Sequence, residues 1–247
     1  MDDWTAAHLA RAATGEKHPV EDFLFHYYSH RPAKLRRWSP GAGIELVGWQ
    51  GPQPWLAAPP DRVAWVVELL ERTAARAPVF GCFGLHEWAM AYRDDRRHAE
   101  PLRLGVEGTA AVVEALPLVC THHDAFRFFT PKARPLNAHQ PTRADQLRLE
   151  QPGCLHANMD CYKWAYKLSP WVPAELVADC FDLARRIRVL DMRASPYDLR
   201  AYGYEPVAVD TPEGRSTYQS LQRGFASEAA TLRERLLLAA RPLVRTA

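Results

Sequence analysis

Long apolar runs are absent from this sequence. No stretch approaches the roughly 18 consecutive apolar residues of a membrane-spanning helix, and the first residues carry no apolar export-signal core. We therefore expect no membrane association and a cytoplasmic location.

Closely paired cysteines are also absent. The chain has five cysteines, an odd number with no CxxC spacing. This pattern argues against a disulfide framework and against a structural zinc ribbon, and it favours a reducing compartment.

The sequence also has little excess of positive over negative charge. The formal net charge is +2 and the sequence pI is about 8.3, well below the strongly basic character of a dedicated nucleic-acid-binding domain. Nucleic acid is therefore possible as a partner but is not indicated by charge. Three common catalytic signatures are missing too: a glycine-rich phosphate loop, a GxSxG elbow and an HExxH zinc motif, since Met90 stands where the second histidine would be.

What the chain does contain is a globular composition, with 247 residues that are 47% apolar and 24% charged. Apolar spacing and turn residues predict a mainly α, single-domain helical bundle over 1–247 with at most a small β-sheet. Residues 1–17 form an N-terminal arm or lid, and 213–241 a long final helix. Further helices are expected at 60–76, 80–93, 121–130, 142–150, 153–168 and 173–194, and short strands at 44–49, 102–104 and 203–210.

The helix at 153–168 is the centre of the functional prediction. It follows a Pro-Gly turn and ends before a Ser-Pro pair. His156, Asp160 and Trp164 are spaced by four, so they share one face of the helix. An imidazole and a carboxylate on one face of so apolar a helix suggest a ligand set.

Two other groups of histidines and acids precede this helix, each in apolar surroundings. Burying an unpaired Glu87 would cost several kcal/mol, so a metal, a base or an arginine must lie near it. Helical bundles build metal sites from inward-facing acids and histidines, and two histidines with a carboxylate suit ferrous iron and dioxygen. We predict a site for iron, possibly di-iron, or another divalent transition metal, with a ligand pool of His86, Glu87, His122, His123, Asp124, His156 and Asp160. The alternative is that these histidines are ordinary core residues.

The same region supplies candidates for catalysis and for substrate binding. Asp124, Asp160 and Arg127 are the candidate catalytic residues, although Asp124 and Arg127 could simply form an ion pair. Aromatic residues could wall a pocket for a small planar substrate, or could belong to the core: Trp88, Phe126, Tyr162 and Trp164. The reaction predicted from this set is that of a metal-dependent oxidase or oxygenase.

Four segments carry a resemblance to a known group. Residues 18–25 (HPVEDFLF), 27–32 (YYSHRP), 84–90 (GLHEWAM) and 190–198 (LDMRASPYD) resemble bacterial proteins described as 3-methyladenine DNA glycosylases, and the similarity covers most of the chain. The resemblance implies hydrolysis of the N-glycosidic bond of an alkylated purine, with the flipped base stacked on Trp88, Tyr162 and Trp164. Asp124 or Asp160 would then be the catalytic carboxylate. A non-catalytic interaction protein is the third hypothesis.

Overall fold

Helices are the regular elements of this fold. The computed structural model describes residues 1–93 and 98–244, and within these ranges the chain forms no strand beyond two isolated bridges, Leu102 with Tyr197 and Leu118 with Asn137. The prediction of a mainly α fold is confirmed. In the described part of the chain, no helix has the length and apolar character of a membrane span. The helices are α1 (Asp2–Thr14), α2 (Phe23–Tyr27), α3 (Pro32–Leu35), α4 (Val63–Ala74), α5 (Leu85–Met90), α6 (Gly105–Ala115), α7 (His123–Phe126), α8 (Gln146–Leu149), α9 (Leu155–Lys167), α10 (Ala174–Arg193) and α11 (Pro212–Val244).

Two compact units emerge from the contacts within the chain. Unit 1 comprises Met1–Ala74, Met159–Arg185 and Glu228–Ala247, and unit 2 comprises Ala75–Asn158 and Arg186–Ser227. Three of the four boundaries fall inside α9, α10 and α11, and the other follows the end of α4. The prediction of one domain over 1–247 stays a prediction, and each unit is described by itself.

Unit 1 has a core of aliphatic and aromatic side chains. Val66 of α4 and Leu236 of α11 are fully buried, as the apolar spacing of both helices requires. The predicted N-terminal arm corresponds to α1, whose Trp4 ring lies 5.2 Å from that of Phe181. Near its end, Arg11 donates two short hydrogen bonds to the Asp22 carboxylate, which also tie α1 to this unit.

Unit 2 has a core in which one short helix is buried on every side. All six residues of α5 are buried, and the indole of Trp88 donates a 2.8 Å hydrogen bond to the carbonyl of Ala194. Tyr197 and Tyr218 are each about 1% exposed in the same unit. Because α5 has no exposed face, its polar side chains must find hydrogen-bond partners inside the protein. His86 and Glu87 are the side chains of α5 that need such partners.

The beginning of α5 differs from the prediction. The expected helix at 80–93 is shortened to Leu85–Met90 because Phe83 and Gly84 both have positive φ, at 47° and 71°. Left-handed backbone interrupts an α-helix, and it is tolerated best by glycine. A Cβ at Gly84 would lie 3.3 Å from the Tyr218 ring, so glycine also leaves room for that ring.

Two other predicted helices also form only in part. The segment 121–130 contains the single turn of α7, which ends at Phe126. In 142–150, Thr142 and Asp145 form a capping box over a 3-10 turn, and α8 follows for four residues. By contrast, α9, α10 and α11 agree with their predicted bounds within a few residues.

The predicted strands do not form. Gly43 and Gly48 have φ of 75° and 76°, which turns the chain at both ends of 44–49. Leu102 makes a single bridge. The segment 203–210 is held by separate hydrogen bonds, such as that from the Val207 amide to the Arg193 carbonyl, and not by a ladder. Apolar alternation was therefore insufficient evidence for strands without a partner strand.

Candidate functional site

His86 stands at the centre of a buried polar group in unit 2. Its ring is 2% exposed, because α5 is covered on all sides. Nε2 lies 2.7 Å from Oδ1 of Asp191, near the end of α10. The other ring nitrogen, Nδ1, faces the thiol of Cys82 at 3.8 Å. The ring thus has one nitrogen toward a carboxylate and one toward a sulfur.

Arg188 binds two carboxylates in the same place. Its Nη1 donates to Oε1 of Glu87 at 2.6 Å and to Oδ2 of Asp191 at 2.7 Å. Arg188, Glu87 and Asp191 are 1%, 4% and 0% exposed. The arginine expected beside Glu87 is therefore present. We call His86, Glu87, Arg188 and Asp191 the charged cluster.

The charges of this cluster are strongly coupled. Burial disfavours a charged imidazole, but the Asp191 carboxylate outweighs burial and raises the pKa of His86 well above its ordinary value. Burial likewise disfavours the charged carboxylate, yet His86 and Arg188 together hold the pKa of Asp191 below its usual range. The two carboxylates and the one guanidinium sum to one negative charge. The cluster is therefore neutral only when His86 carries a proton or when a bound cation replaces that proton.

Two further imidazoles lie beside His86. The ring centroids of His86 and His156 are 4.5 Å apart at 80°, and those of His122 and His156 are 5.4 Å apart at 28°. His122 Nε2 lies 3.5 Å from Oε1 of the buried Glu150. Histidines from three separated segments of the chain are thus brought together. Three of the donors, one each from His86, His156 and Asp191, lie within 4.8 Å of one another.

A small cavity adjoins these rings. Its volume is about 10 Å³, the room of one water molecule, and its lining includes His86, His156, Cys82, Cys120 and Cys154. Burial raises the pKa of the Cys120 and Cys154 thiols, which are therefore protonated at neutral pH when nothing binds them. We call this space the thiol cavity.

The remaining metal-ligand candidates of unit 2 are engaged elsewhere. His123 Nδ1 is hydrogen-bonded to the Pro141 carbonyl at 3.1 Å. Asp124 is partly exposed and pairs with the half-exposed Arg127 at 3.4 Å, the ion pair that was the simpler alternative. Glu87 is held by Arg188, as described above.

Asp160 belongs to unit 1. Its Oδ1 accepts from the Tyr28 hydroxyl and its Oδ2 from the Lys163 ammonium, both at 2.7 Å. Tyr162 is fully buried there, and its ring lies 5.1 Å from that of Phe181. These contacts give Asp160 a structural partner set within its own unit.

The predicted substrate-binding aromatics are core side chains. Trp88 is fully buried, and Phe126 is 7% exposed with its ring 5.1 Å from Phe129. In unit 1, Trp164 is 5% exposed and packs edge-on against Trp65 at 5.4 Å. Stacking of a ligand on these rings stays a prediction.

A larger, open cavity lies in unit 1. Its volume is about 680 Å³, and its walls are apolar, with Trp55, Trp171 and Leu238 among them. Among the residues that the structure describes, no titratable side chain belongs to this lining. Such a surface can hold an apolar group but offers no acid, base or nucleophile.

The sequence reasoning missed Asp191 and Arg188. Arg188 and Asp191 are three residues apart and lie beside Ile187 and Leu190, which belong to the apolar stripe of α10. Both residues could have been identified from the sequence, because they are charged and fall on the buried stripe of an amphipathic helix.

The comparisons with known proteins add no relative. Neither a family model, nor a curated protein, nor a solved structure matches this chain. The resemblance to DNA glycosylases therefore stays a prediction.

Proposed function

We propose that this protein is a metal-dependent enzyme whose ion lies in unit 2, centred on His86 and His156 with Asp191 as the carboxylate of the site. The observation that carries the proposal is the group of three donors within 4.8 Å. Donors about 2.1 Å from a shared ion are about 3.4 Å apart in tetrahedral geometry, so the most separated pair would have to close by up to about 1.4 Å on binding. Asp191 contributes its charge whether it binds the ion or the Nε2 of His86.

The charge of the cluster accommodates a cation in place of the proton that His86 otherwise carries. With His86 neutral, Glu87, Asp191 and Arg188 sum to one negative charge in a dry environment, and an uncompensated buried charge is strongly unfavourable. A divalent ion at His86 replaces the imidazole proton and supplies the compensation. Metal ions are often the largest local charges of such sites.

The size of the thiol cavity limits the chemistry. The cavity is lined by both imidazoles and has room for one water-sized molecule. Two histidines and a carboxylate leave coordination positions open, an arrangement that supports activation of water or of dioxygen. We therefore propose that the ion itself fills this space, and that the molecule reacting at it, water or dioxygen as in an oxidase, binds only after the cavity opens.

Metal analysis tests this proposal. Protein purified without chelators under anaerobic conditions should contain about one equivalent of a transition metal, and His156→Ala should contain much less. His123→Ala is the matched control, because His123 is bonded to the Pro141 carbonyl and should leave the metal content unchanged. Wild-type protein with less than about a tenth of an equivalent, and no uptake on reconstitution, would sink the proposal.

A further inference from the structure

We propose that unit 1 binds the hydrocarbon tail of a single-chain amphiphile, such as a fatty acid, in its large open cavity. We call this space, with its volume of about 680 Å³, the apolar cavity. The inference is independent of the metal site, because the lining residues all belong to unit 1. It assigns a ligand to a site that the proposed function does not use.

The first support is the size and shape of the apolar cavity. Ligand sites in proteins are clefts or cavities of about 300–1,000 Å³, and this volume falls within that range. The walls come from three separate segments, the loop 40–59, the segment 171–173 and the last turns of α11. A concave space built in this way encloses a small molecule.

The second support is the chemistry of the walls. In the part of the chain that the structure describes, all lining residues are proline, glycine, alanine, isoleucine, leucine or tryptophan. The two indole N–H groups are already used, since Trp55 donates to the Ile44 carbonyl at 2.7 Å and Trp171 donates to the Ala57 carbonyl at 2.8 Å. These side chains therefore have no hydrogen bond to offer a buried polar group, which makes burial of such a group unfavourable. A hydrocarbon tail needs no hydrogen bond.

The third support is the set of contacts that holds the walls in place. The Ala42 amide donates to the Trp171 carbonyl at 2.7 Å, in addition to the two indole hydrogen bonds. Gly41 has φ of 96°, and a Cβ at this position would lie 3.1 Å from the Pro173 ring, so glycine permits the close approach of the loop. A ligand therefore meets walls that are already ordered, which lowers the entropy cost of binding.

The fourth support is the exposure of large apolar side chains in the lining. Ile44, Leu56 and Leu238 are 45%, 53% and 62% exposed. Removing their apolar surface from water is favourable, and a tail in the cavity does so. Because the cavity is open, the polar head of the same molecule stays in water and needs no partner from the protein. These requirements together select an amphiphile with one tail.

A chain-length series tests the class of ligand. Octanoate, decanoate and dodecanoate, each below its micelle concentration, are used to displace cis-parinaric acid from the wild-type protein, and affinity is read from the loss of fluorescence. We expect the affinity to rise about fourfold for each added methylene until the cavity is filled. The planar anion 2-naphthoate should bind about tenfold more weakly than decanoate, because a rigid bicyclic ring covers less of the lining than a flexible tail does.

Two variants locate the bound tail. Leu238→Asp places a carboxylate in the lining and should weaken decanoate binding about tenfold or more. Ala239→Phe fills the space without adding charge and should weaken binding as well. Leu221→Asp is the matched control, because Leu221 is also on α11 and is 41% exposed but is not part of the lining. Urea melts check that each variant is folded.

Each outcome decides the assignment. No saturable binding of cis-parinaric acid by the wild type would refute it, and so would an affinity that does not depend on chain length. Unchanged binding in folded Leu238→Asp and Ala239→Phe would place the tail elsewhere and overturn the site. A dimer in sedimentation that Leu238→Asp abolishes and decanoate does not dissociate would assign the cavity to a second copy of the chain instead. The metal content of all three variants should equal that of the wild type, so failure here is distinguishable from failure of the proposed function.

Discussion

Replacing Arg188 by methionine should destabilise the protein strongly. The change leaves the carboxylates of Glu87 and Asp191 buried without the guanidinium that both contact through Nη1. Each charge-assisted hydrogen bond contributes about 1.5–3 kcal/mol, and breaking a buried ion pair by removing one partner costs about 3–5 kcal/mol. We expect Arg188→Met to lower the free energy of unfolding by about 3–5 kcal/mol in urea melts.

A second change tests whether charge is the cause. In metal-free protein, adding Glu87→Gln to Arg188→Met leaves one negative carboxylate opposite a protonated His86, so the double variant should be more stable than the single one by about 1 kcal/mol or more. Arg235→Met is the matched control. Its Nη1 lies 2.7 Å from the Asp179 carboxylate, as Arg188 does from Asp191, but both side chains are about half exposed.

The control should change stability by no more than about 0.5–1 kcal/mol, because water screens the exposed pair. A loss below about 1 kcal/mol in Arg188→Met would refute the reasoning. So would a double variant no more stable than the single variant.

Three further predictions concern particular side chains. Burial would raise the pKa of Asp22, but hydrogen bonds from Arg11 and neighbouring groups outweigh burial and lower this pKa to about 2. We therefore expect Asp22→Asn to lower the free energy of unfolding by about 2–3 kcal/mol at neutral pH. In urea melts, the stability difference between wild type and Asp22→Asn should vanish as pH falls from about 4 to about 2. A difference that stays constant over this range would contradict a lowered pKa of Asp22. Burial, aided by nearby lysines, lowers the pKa of His30 to about 3. The unfolded chain therefore binds the proton more tightly, and stability should fall by about 1.4 kcal/mol per pH unit below about 6.5. His30→Phe should flatten this slope between about pH 6.5 and 4.5, and an unchanged slope would count against it. Gly84→Ala should lower the melting temperature more than Gly203→Ala does. Both glycines have positive φ, but only at Gly84 would an added Cβ lie 3.3 Å from a ring, that of Tyr218. Equal losses would show that the Tyr218 ring moves away without cost.

The helices were predictable where a long apolar stripe coincides with clear end signals. In α9 the Pro-Gly turn and the Ser-Pro pair marked both ends, and α10 carried its apolar spacing over five turns. The predicted α5 helix was too long because Phe83 and Gly84 have left-handed backbone, beside the ring of the distant Tyr218, which no local pattern reveals.

The candidate site was predictable only in part. The expectation that Glu87 needs a partner followed from the cost of a buried charge, and Arg188 is that partner. Which histidines approach one another could not follow from spacing, because His86, His122 and His156 meet through contacts between distant segments. Asp124 and Asp160 were selected by sequence proximity to histidines, whereas Asp191 reaches His86 from 105 residues away.

Anomalous diffraction tests the central claim most directly. Crystals of protein purified without chelators should show, at the absorption edge of the metal they contain, one peak within coordination distance of both His86 and His156. Our account predicts that peak inside the thiol cavity. An anomalous map with no peak there, in crystals whose solution is shown to contain zinc, iron and manganese, would contradict it.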